Sequence, residues 1–176
     1  LALIADVGLV GKPNAGKSTL LSVLTNSRPR IGAYPFTTKI PNIGVCSGYE
    51  REFVLADIPG IIEGASHGAG LGLQFLKHIS RTGLVLFLID LHDEDPLRTY
   101  RMLEKELHEY SPDLTSKPRL LVGTKMDLAG SGERLTALAA AVAQQTCLGI
   151  SAVTGYGIPG LKAELESMLG AGEPLS

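Results

Sequence analysis

The sequence is poor in the features that mark metal-binding, nucleic-acid-binding and membrane proteins. Its two cysteines, Cys46 and Cys147, lie far apart and lack the spacing of metal ligands, so we expect a reduced, cytoplasmic setting. It has no run of Lys and Arg residues and a formal net charge of −2, so we expect no direct DNA binding. It also has no apolar run long enough to span a membrane and no internal repeat or low-complexity segment.

The length of the chain is that of one domain. Its 176 residues are enough to bury a hydrophobic core. The sequence starts at Leu1, almost directly on a strand-like segment, without an initiator Met or a signal peptide, and we expect a domain of a longer protein. We assign residues 1–170 to this domain and residues 171–176 to a frayed tail, and we expect a monomer.

Residues 11–18 are the most informative stretch, because they fit the phosphate-binding pattern G-x-x-x-x-G-K-[ST]. A short apolar strand precedes them and an amphipathic helix follows, as the motif requires. The two glycines let backbone N–H groups turn towards a polyphosphate, and the helix N-terminus adds partial positive charge. The alternative, an ordinary glycine turn, would require neither the preceding strand nor the following helix. We therefore predict that a nucleoside polyphosphate contacts Gly11, Lys12, Pro13, Asn14, Ala15, Gly16, Lys17 and Ser18.

Apolar segments alternate with helical patterns along the chain. Six segments have the composition of buried strands, namely residues 5–10, 43–47, 52–56, 84–89, 120–123 and 147–150. The second and third form a hairpin, which places one antiparallel strand at an edge. We predict an α/β fold with a mostly parallel six-stranded sheet and helices on both faces, one of them over residues 71–79. Residues 28–41 contain prolines and a glycine and are predicted to be a long connection without regular structure.

A second motif follows the third strand. Asp57, Pro59 and Gly60 fit the pattern Asp-x-x-Gly, in which the carboxylate can hold Mg²⁺ and the glycine N–H can meet a γ-phosphate. An ordinary Pro-Gly turn is the alternative. Thr37 and Thr38 supply the only hydroxyls of the preceding loop that could complete a Mg²⁺ shell.

Residues 124–127, Thr-Lys-Met-Asp, close the fifth strand and favour guanine over adenine. The Asp127 carboxylate can accept from both N1–H and the 2-amino group of guanine, whereas adenine would leave this charge unpaired. The stem of Lys125 would cover one face of the base. Ser151 and Ala152, after the last strand, offer a backbone N–H to the guanine oxygen. All these motifs stand at carboxyl ends of strands, where ligands of such sheets bind.

Taken in this order, the motifs resemble the G domain of the Obg family of GTPases. Four stretches carry the resemblance, which extends over nearly the whole chain: residues 10–20, 34–38, 57–65 and 68–79. The resemblance implies the P-loop NTPase fold of Ras-like G domains, slow GTP hydrolysis, fast nucleotide exchange, and a role in large-ribosomal-subunit biogenesis and stress control. It also implies N- and C-terminal flanking domains, which this chain does not include.

The resemblance assigns roles residue by residue. Thr38, rather than Thr37, becomes the Mg²⁺ ligand beside Ser18 and Asp57, and the loops around Thr38 and after Gly60 become switches I and II. The residues expected to act in catalysis are Lys17, Gly60 and Asn14. Beyond the P-loop, the nucleotide-binding residues are expected to be Phe36, Thr37, Thr38, Lys39, Ile40, Asp57, Ile58, Pro59, Gly60, Thr124, Lys125, Met126, Asp127, Ser151, Ala152 and Val153.

Two positions depart from the patterns of GTPases. The Obg family usually has Asn where this chain has Thr124, so weaker base binding is expected. Ras-type GTPases use Gln after the Asp-x-x-Gly motif to orient water, whereas Ile61 stands here and can form no side-chain hydrogen bond. Asn14 either recruits K⁺ to replace a catalytic cation or only tightens the P-loop, and both roles stay open.

Two other functions are compatible with a P-loop. A metabolic kinase would need an acceptor pocket and an arginine-bearing lid, and the sequence shows no insertion for one. A nucleotide-stabilised scaffold would bind the nucleotide without hydrolysing it. A GTP-dependent switch is the function that the combined motifs favour.

Overall fold

The fold is built on one sheet, which a computed structural model describes together with its surrounding helices over residues 5–12, 15–25, 30–31, 42–58 and 82–171. From edge to edge the strands run β2-β3-β4-β1-β5-β6-β7. The pairs β2–β3 and β3–β4 are antiparallel and the others parallel. The strands are β1 (Val7–Val10), β2 (Arg30–Ile31), β3 (Asn42–Ser47), β4 (Glu52–Asp57), β5 (Leu84–Asp90), β6 (Arg119–Thr124) and β7 (Thr146–Gly149).

Five helices are described around the sheet: α1 (Lys17–Thr25), α2 (Pro96–Tyr110), α3 (Pro112–Thr115), α4 (Ser131–Ala141) and α5 (Ile158–Ala171). The start of α2 follows directly from its sequence, because Pro96 occupies the first turn and the Asp95 carboxylate accepts a 3.1 Å hydrogen bond from the Arg98 N–H. No helix in the described ranges combines the length and apolarity that crossing a bilayer would require.

Two hydrophobic clusters cover opposite faces of the sheet. Along β5 the odd-numbered residues 85–89 belong to one cluster and the even-numbered residues 84–88 to the other, as expected for a strand buried on both faces. The first cluster includes side chains of α2 and α4, and the second includes side chains of α1 and α5. Each fully buried large apolar side chain stabilises the fold by about 1.5–3 kcal/mol, so these clusters hold the carboxyl edge of the sheet in place.

The six predicted strands, their mostly parallel pairing and the helices on both faces are confirmed. The prediction that residues 28–41 contain no regular structure was wrong at Arg30–Ile31, which form β2 and pair with Ile43 and Asn42 of β3. Without β2, β3 would be the sheet edge, and an open edge offers backbone groups to any short segment that reaches it. The short helix α3 was not predicted. The helix expected over residues 71–79 lies outside the described residues.

Candidate nucleotide-binding site

The candidate site lies at the carboxyl edge of the parallel strands. The P-loop follows β1, while Asp57 ends β4, Asp90 ends β5 and Thr124 ends β6. Ser151 comes two residues after β7. Because the parallel strands share one direction, the topology brings these sequence-distant residues to a single edge, where ligands of open α/β sheets bind.

The described part of the P-loop has the geometry of a backbone cradle. A Cβ on Gly11 would lie 3.0 Å from the carbonyl oxygen of Leu88, so the loop passes too close to β5 for a side chain. Gly16 has φ +94°, a left-handed conformation that favours glycine. The N–H of Ala15 donates to the Lys12 oxygen at 3.0 Å, and α1 starts directly after Gly16.

Lys17 and Asp57 meet at the base of the cradle. Lys17 Nζ lies 3.0 Å from Asp57 Oδ1, and the two side chains are only 10 % and 11 % exposed. Within the described residues Asp57 Oδ1 is buried and accepts no hydrogen bond, since the ammonium approaches it as an ion pair without hydrogen-bond geometry. A buried carboxylate oxygen without a hydrogen-bond donor is suited to a hard cation such as Mg²⁺.

The described residues of this region do not form a complete metal site by themselves. In the described ranges no group of three His, Cys, Asp or Glu side chains could hold a metal. Ser18, the second residue of α1, is exposed beside Lys17. One carboxylate and one hydroxyl are too few for octahedral Mg²⁺, which usually takes its remaining ligands from water and phosphate oxygens. The donor set fits a metal that arrives with a nucleotide.

Asp127 is held by the loop that follows β7. The Ser151 hydroxyl donates to Asp127 Oδ1 at 2.8 Å, and Ser151 is fully buried. The Thr154 N–H donates back to this hydroxyl oxygen at 3.2 Å. The plane of the Asp127 carboxylate is therefore fixed by a side chain that the sequence had indicated only for its backbone.

The backbone donor expected from Ser151 is already used. Its N–H donates to the carbonyl oxygen of Tyr156 at 2.9 Å, which closes the turn over residues 151–156. Of the two N–H groups that the sequence offered to a base oxygen, the one of Ala152 is therefore the candidate. Val153, the next residue, is 83 % exposed.

Residues 124–127 adopt an unusual backbone. Lys125 has φ +71° and is the one non-glycine residue with positive φ among those described. The Met126 N–H donates to the Ile150 oxygen at 3.0 Å, which ties this loop to the segment after β7. The Thr124 hydroxyl donates to the Ile89 oxygen at 3.4 Å, so it bonds within the sheet. Lys125 Nζ donates to Asp90 Oδ2 at 2.7 Å.

Lys12 makes a contact that its motif did not indicate. Its ammonium lies 3.0 Å from Asp93 Oδ2, and the same oxygen accepts from the Thr99 hydroxyl at 2.9 Å. Burial raises the pKa of Asp93, but the hydrogen bonds and charge of Lys12 and the hydroxyl of Thr99 outweigh it, so the pKa lies below its usual value. The side chain of Lys12 thus links the P-loop to the segment before α2. Nothing in the local sequence around Asp93 signals this partner.

Several predicted site residues lie outside the described ranges. They are Pro13, Asn14, Phe36, Thr37, Thr38, Lys39, Ile40, Pro59 and Gly60. Ile58 is described and buried, and its N–H donates to the Leu9 oxygen at 3.0 Å, which continues the β1–β4 pairing. The roles assigned to all these residues stay predictions.

Comparison with known proteins points to one family. A family model described as 50S ribosome-binding GTPase matches residues 6–125. The GTPase Obg of Treponema denticola is 54% identical over 92% of this chain and 43% of its own length. The GTPase Obg of Syntrophotalea carbinolica is 51% identical over 94% of this chain and 48% of its own length. The chain thus spans less than half the length of these relatives.

A solved structure supports the same fold. The Era protein of Aquifex aeolicus, in a variant bound to GDP·AlF4⁻, aligns with a TM-score of 0.67 and 26% identity over 97% of this chain and 58% of that one. The family model covers more than half of this chain, and its match includes the P-loop, Asp57 and the first two residues of the 124–127 loop. The chain belongs to the Obg family of GTPases and carries its G domain.

Proposed function

We propose that this domain is a switch that binds GTP and hydrolyses it slowly to GDP and phosphate. The observation that carries the proposal is the position of Asp127, held by the Ser151 hydroxyl at 2.8 Å, on the same sheet edge as the P-loop. A phosphate cradle and a fixed carboxylate on one edge suit a guanine nucleotide, whose phosphates and base are recognised separately.

Base selection follows from hydrogen-bond chemistry. The Asp127 carboxylate would accept from N1–H and the 2-amino group of guanine, and the Ala152 N–H would donate to the base oxygen. Adenine would leave the carboxylate unpaired, which costs several kcal/mol. We expect GDP to bind on the order of a thousandfold more tightly than ADP.

Mg²⁺ would be held by Ser18 and Asp57, joined by Thr38 when GTP is bound. When bound, it neutralises charge on the β- and γ-phosphates. Lys17 would exchange its contact with Asp57 (3.0 Å) for these phosphates. The Gly60 N–H would donate to the γ-phosphate. The conformation of the loop after Gly60 would then change when GTP is hydrolysed and the γ-phosphate leaves.

Hydrolysis requires water to attack the γ-phosphorus while the bond to the β-phosphate oxygen breaks, so that GDP leaves with the electron pair. Ile61 stands where a Gln would orient this water, and its side chain can neither donate nor accept the hydrogen bond that this task needs. We expect a rate comparable to intrinsic Ras turnover, on the order of 10⁻⁴ s⁻¹, which corresponds to a barrier of about 22 kcal/mol.

The cellular role is proposed from the comparisons. The matching family model is described as 50S ribosome-binding GTPase, and we propose the large ribosomal subunit as the partner and the cytoplasm as the location. Stress control and fast nucleotide exchange are proposed on the resemblance to the Obg family.

Fluorescence titration with labelled GDP and ADP, followed by phosphate release from GTP, tests the proposed activity. Preferential GDP binding with slow phosphate release is the expected result. Tight GDP binding without phosphate release would favour a nucleotide-stabilised scaffold. Release that depends on a phosphate acceptor would favour a kinase.

The cation requirement needs a separate measurement. Hydrolysis in KCl and NaCl at matched ionic strength should be compared for the native chain and for Asn14→Ala. A rate that K⁺ raises in the native chain but not in Asn14→Ala would assign K⁺ to Asn14. A rate indifferent to the cation would leave Asn14 with a structural role.

A further inference from the structure

Four residues form a closed hydrogen-bonded ring behind the 124–127 loop. The Ser131 hydroxyl donates to the carbonyl oxygen of Lys125 at 2.6 Å, and His92 Nε2 lies 2.8 Å from the Ser131 oxygen. The His92 N–H donates to Asp90 Oδ1 at 2.8 Å, and Lys125 Nζ donates to Asp90 Oδ2 at 2.7 Å. The ring begins and ends at Lys125.

The direction of each bond follows from the donor inventory. Because Ser131 gives its hydroxyl hydrogen to the Lys125 oxygen, the Ser131 oxygen must accept from His92, which places a proton on Nε2. Ser131 is only 1 % exposed. Loss of its hydroxyl would therefore leave the imidazole N–H without its partner. The Lys125 carbonyl oxygen would keep only the 3.1 Å bond from the Leu128 N–H.

The ring acts on the residue whose backbone is strained. Lys125 holds φ +71°, and a non-glycine residue keeps such a conformation only when its surroundings impose it. The Ser131 bond to its carbonyl is a restraint of this kind. Thr124 contributes little to it, because its own hydroxyl makes a long 3.4 Å bond to Ile89 in the sheet.

We propose that His92 and Ser131 are positioning residues for base recognition, which hold the Lys125 backbone and thereby set the place of Asp127 two residues later. This inference rests on the proposed guanine binding. Neither residue would contact the nucleotide. The ring would affect recognition of the base, whereas binding of the phosphates by the P-loop would not depend on it.

Affinities of GDP and ADP for the full 176-residue chain and its variants test this inference. Ser131→Ala should weaken GDP binding about tenfold while ADP binding changes less than about twofold, so the guanine preference falls by nearly the same factor. The matched control is Thr136→Ala, which removes a hydroxyl of the same helix that bonds the Gly132 oxygen at 2.9 Å, away from the loop. It should leave both affinities unchanged.

Conservative variants separate positioning from folding. His92→Leu should resemble Ser131→Ala, and the double variant should be no more than about twofold weaker than either, because each change opens the same ring. His92→Gln keeps an N–H donor and should restore native GDP affinity. If Ser131→Ala does not fold, the comparison of Leu with Gln at position 92 decides.

Three results would overturn the inference: unchanged GDP affinity in His92→Leu, an equal loss of GDP and ADP binding, or no recovery with Gln. Absence of guanine preference in the native chain is a different failure, because it would reject the proposed function itself.

Discussion

Asp57→Asn is the substitution for which the structure gives the sharpest expectation. Lys17 and Asp57 are paired at 3.0 Å and each side chain is about nine-tenths buried. Asn keeps the size of Asp but removes its charge, so the variant leaves the Lys17 ammonium buried without its counter-charge. The substitution therefore tests the pair and not the packing around it.

Removing one partner of a buried ion pair costs about 3–5 kcal/mol of the free energy of unfolding. We take the lower end for Asp57→Asn, because Lys17 Nζ approaches Asp57 Oδ1 without hydrogen-bond geometry. For a domain of this size a loss of about 3 kcal/mol lowers Tm by roughly 6–12 °C. A bound nucleotide would give the Lys17 ammonium a new counter-charge, so the Tm difference should shrink when GDP is present.

Thermal unfolding with and without GDP, and GDP affinity with Mg²⁺ and with EDTA, measure both effects. In the native chain GDP must compete with Asp57 for Lys17, and Mg²⁺ should relieve this by engaging the carboxylate. The gain in affinity from Mg²⁺ should therefore be smaller in Asp57→Asn. Arg101→Met is the control, since it breaks an exposed pair with Glu104 at 3.5 Å and should cost less than about 1 kcal/mol. An unchanged Tm together with an unchanged Mg²⁺ effect would refute this reasoning.

Three further predictions concern the charged groups around the site. Asp127→Asn should shift the preference from GDP to xanthosine diphosphate, measured by competition; retained preference for GDP would contradict the assigned role. Ser151→Ala removes a 2.8 Å bond to the Asp127 carboxylate and should weaken GDP binding on the order of ten- to a hundredfold; unchanged binding would show that Asp127 needs no support. The lowered pKa of Asp93 means that its pair with Lys12 stabilises the fold above the unfolded pKa of about 3.9 and that this is lost as the pH falls through the folded pKa. The free energy of unfolding, measured by denaturation, should therefore be lower for Asp93→Asn than for the native chain at pH 6, and the two values should converge near pH 2. An equal difference at both pH values would reject the stabilising role of the pair.

Local signals in the sequence were sufficient to predict most of the strands and helices of the fold. The apolar run at residues 84–89 predicted a buried strand, and the structure places it inside the sheet as β5, between β1 and β6. An Asp-Pro pair such as Asp95 and Pro96 is typical of a helix start, and the Asp95 carboxylate caps α2. Each of these predictions depends on neighbours in sequence, where periodicity and capping chemistry operate.

Contacts between distant residues were beyond the reach of sequence reasoning. Lys12 and Asp93 lie 81 positions apart and His92 and Ser131 lie 39 apart, and no periodicity joins them. Their side chains meet only because the sheet order brings the ends of β1, β5 and β6 together. The motifs indicated where the candidate site lies. The residues that bond to motif residues, such as Asp93 and Ser131, belong to parts of the chain that contain no motif.

The ion pairs of the site change how its affinity should be understood. The sequence analysis assigned Lys17 to the phosphates and Lys125 to the base, and it gave neither side chain a partner within the protein. In the structure Lys17 pairs with Asp57 and Lys125 with Asp90. Binding of the proposed nucleotide at Lys17 would therefore exchange one ion pair for another, so the net gain in free energy would be the difference between the two and smaller than that from an unpaired ammonium. Because the exchange would leave the buried Asp57 carboxylate without its partner, a second cation would be needed there, and we therefore expect tight nucleotide binding to depend on Mg²⁺.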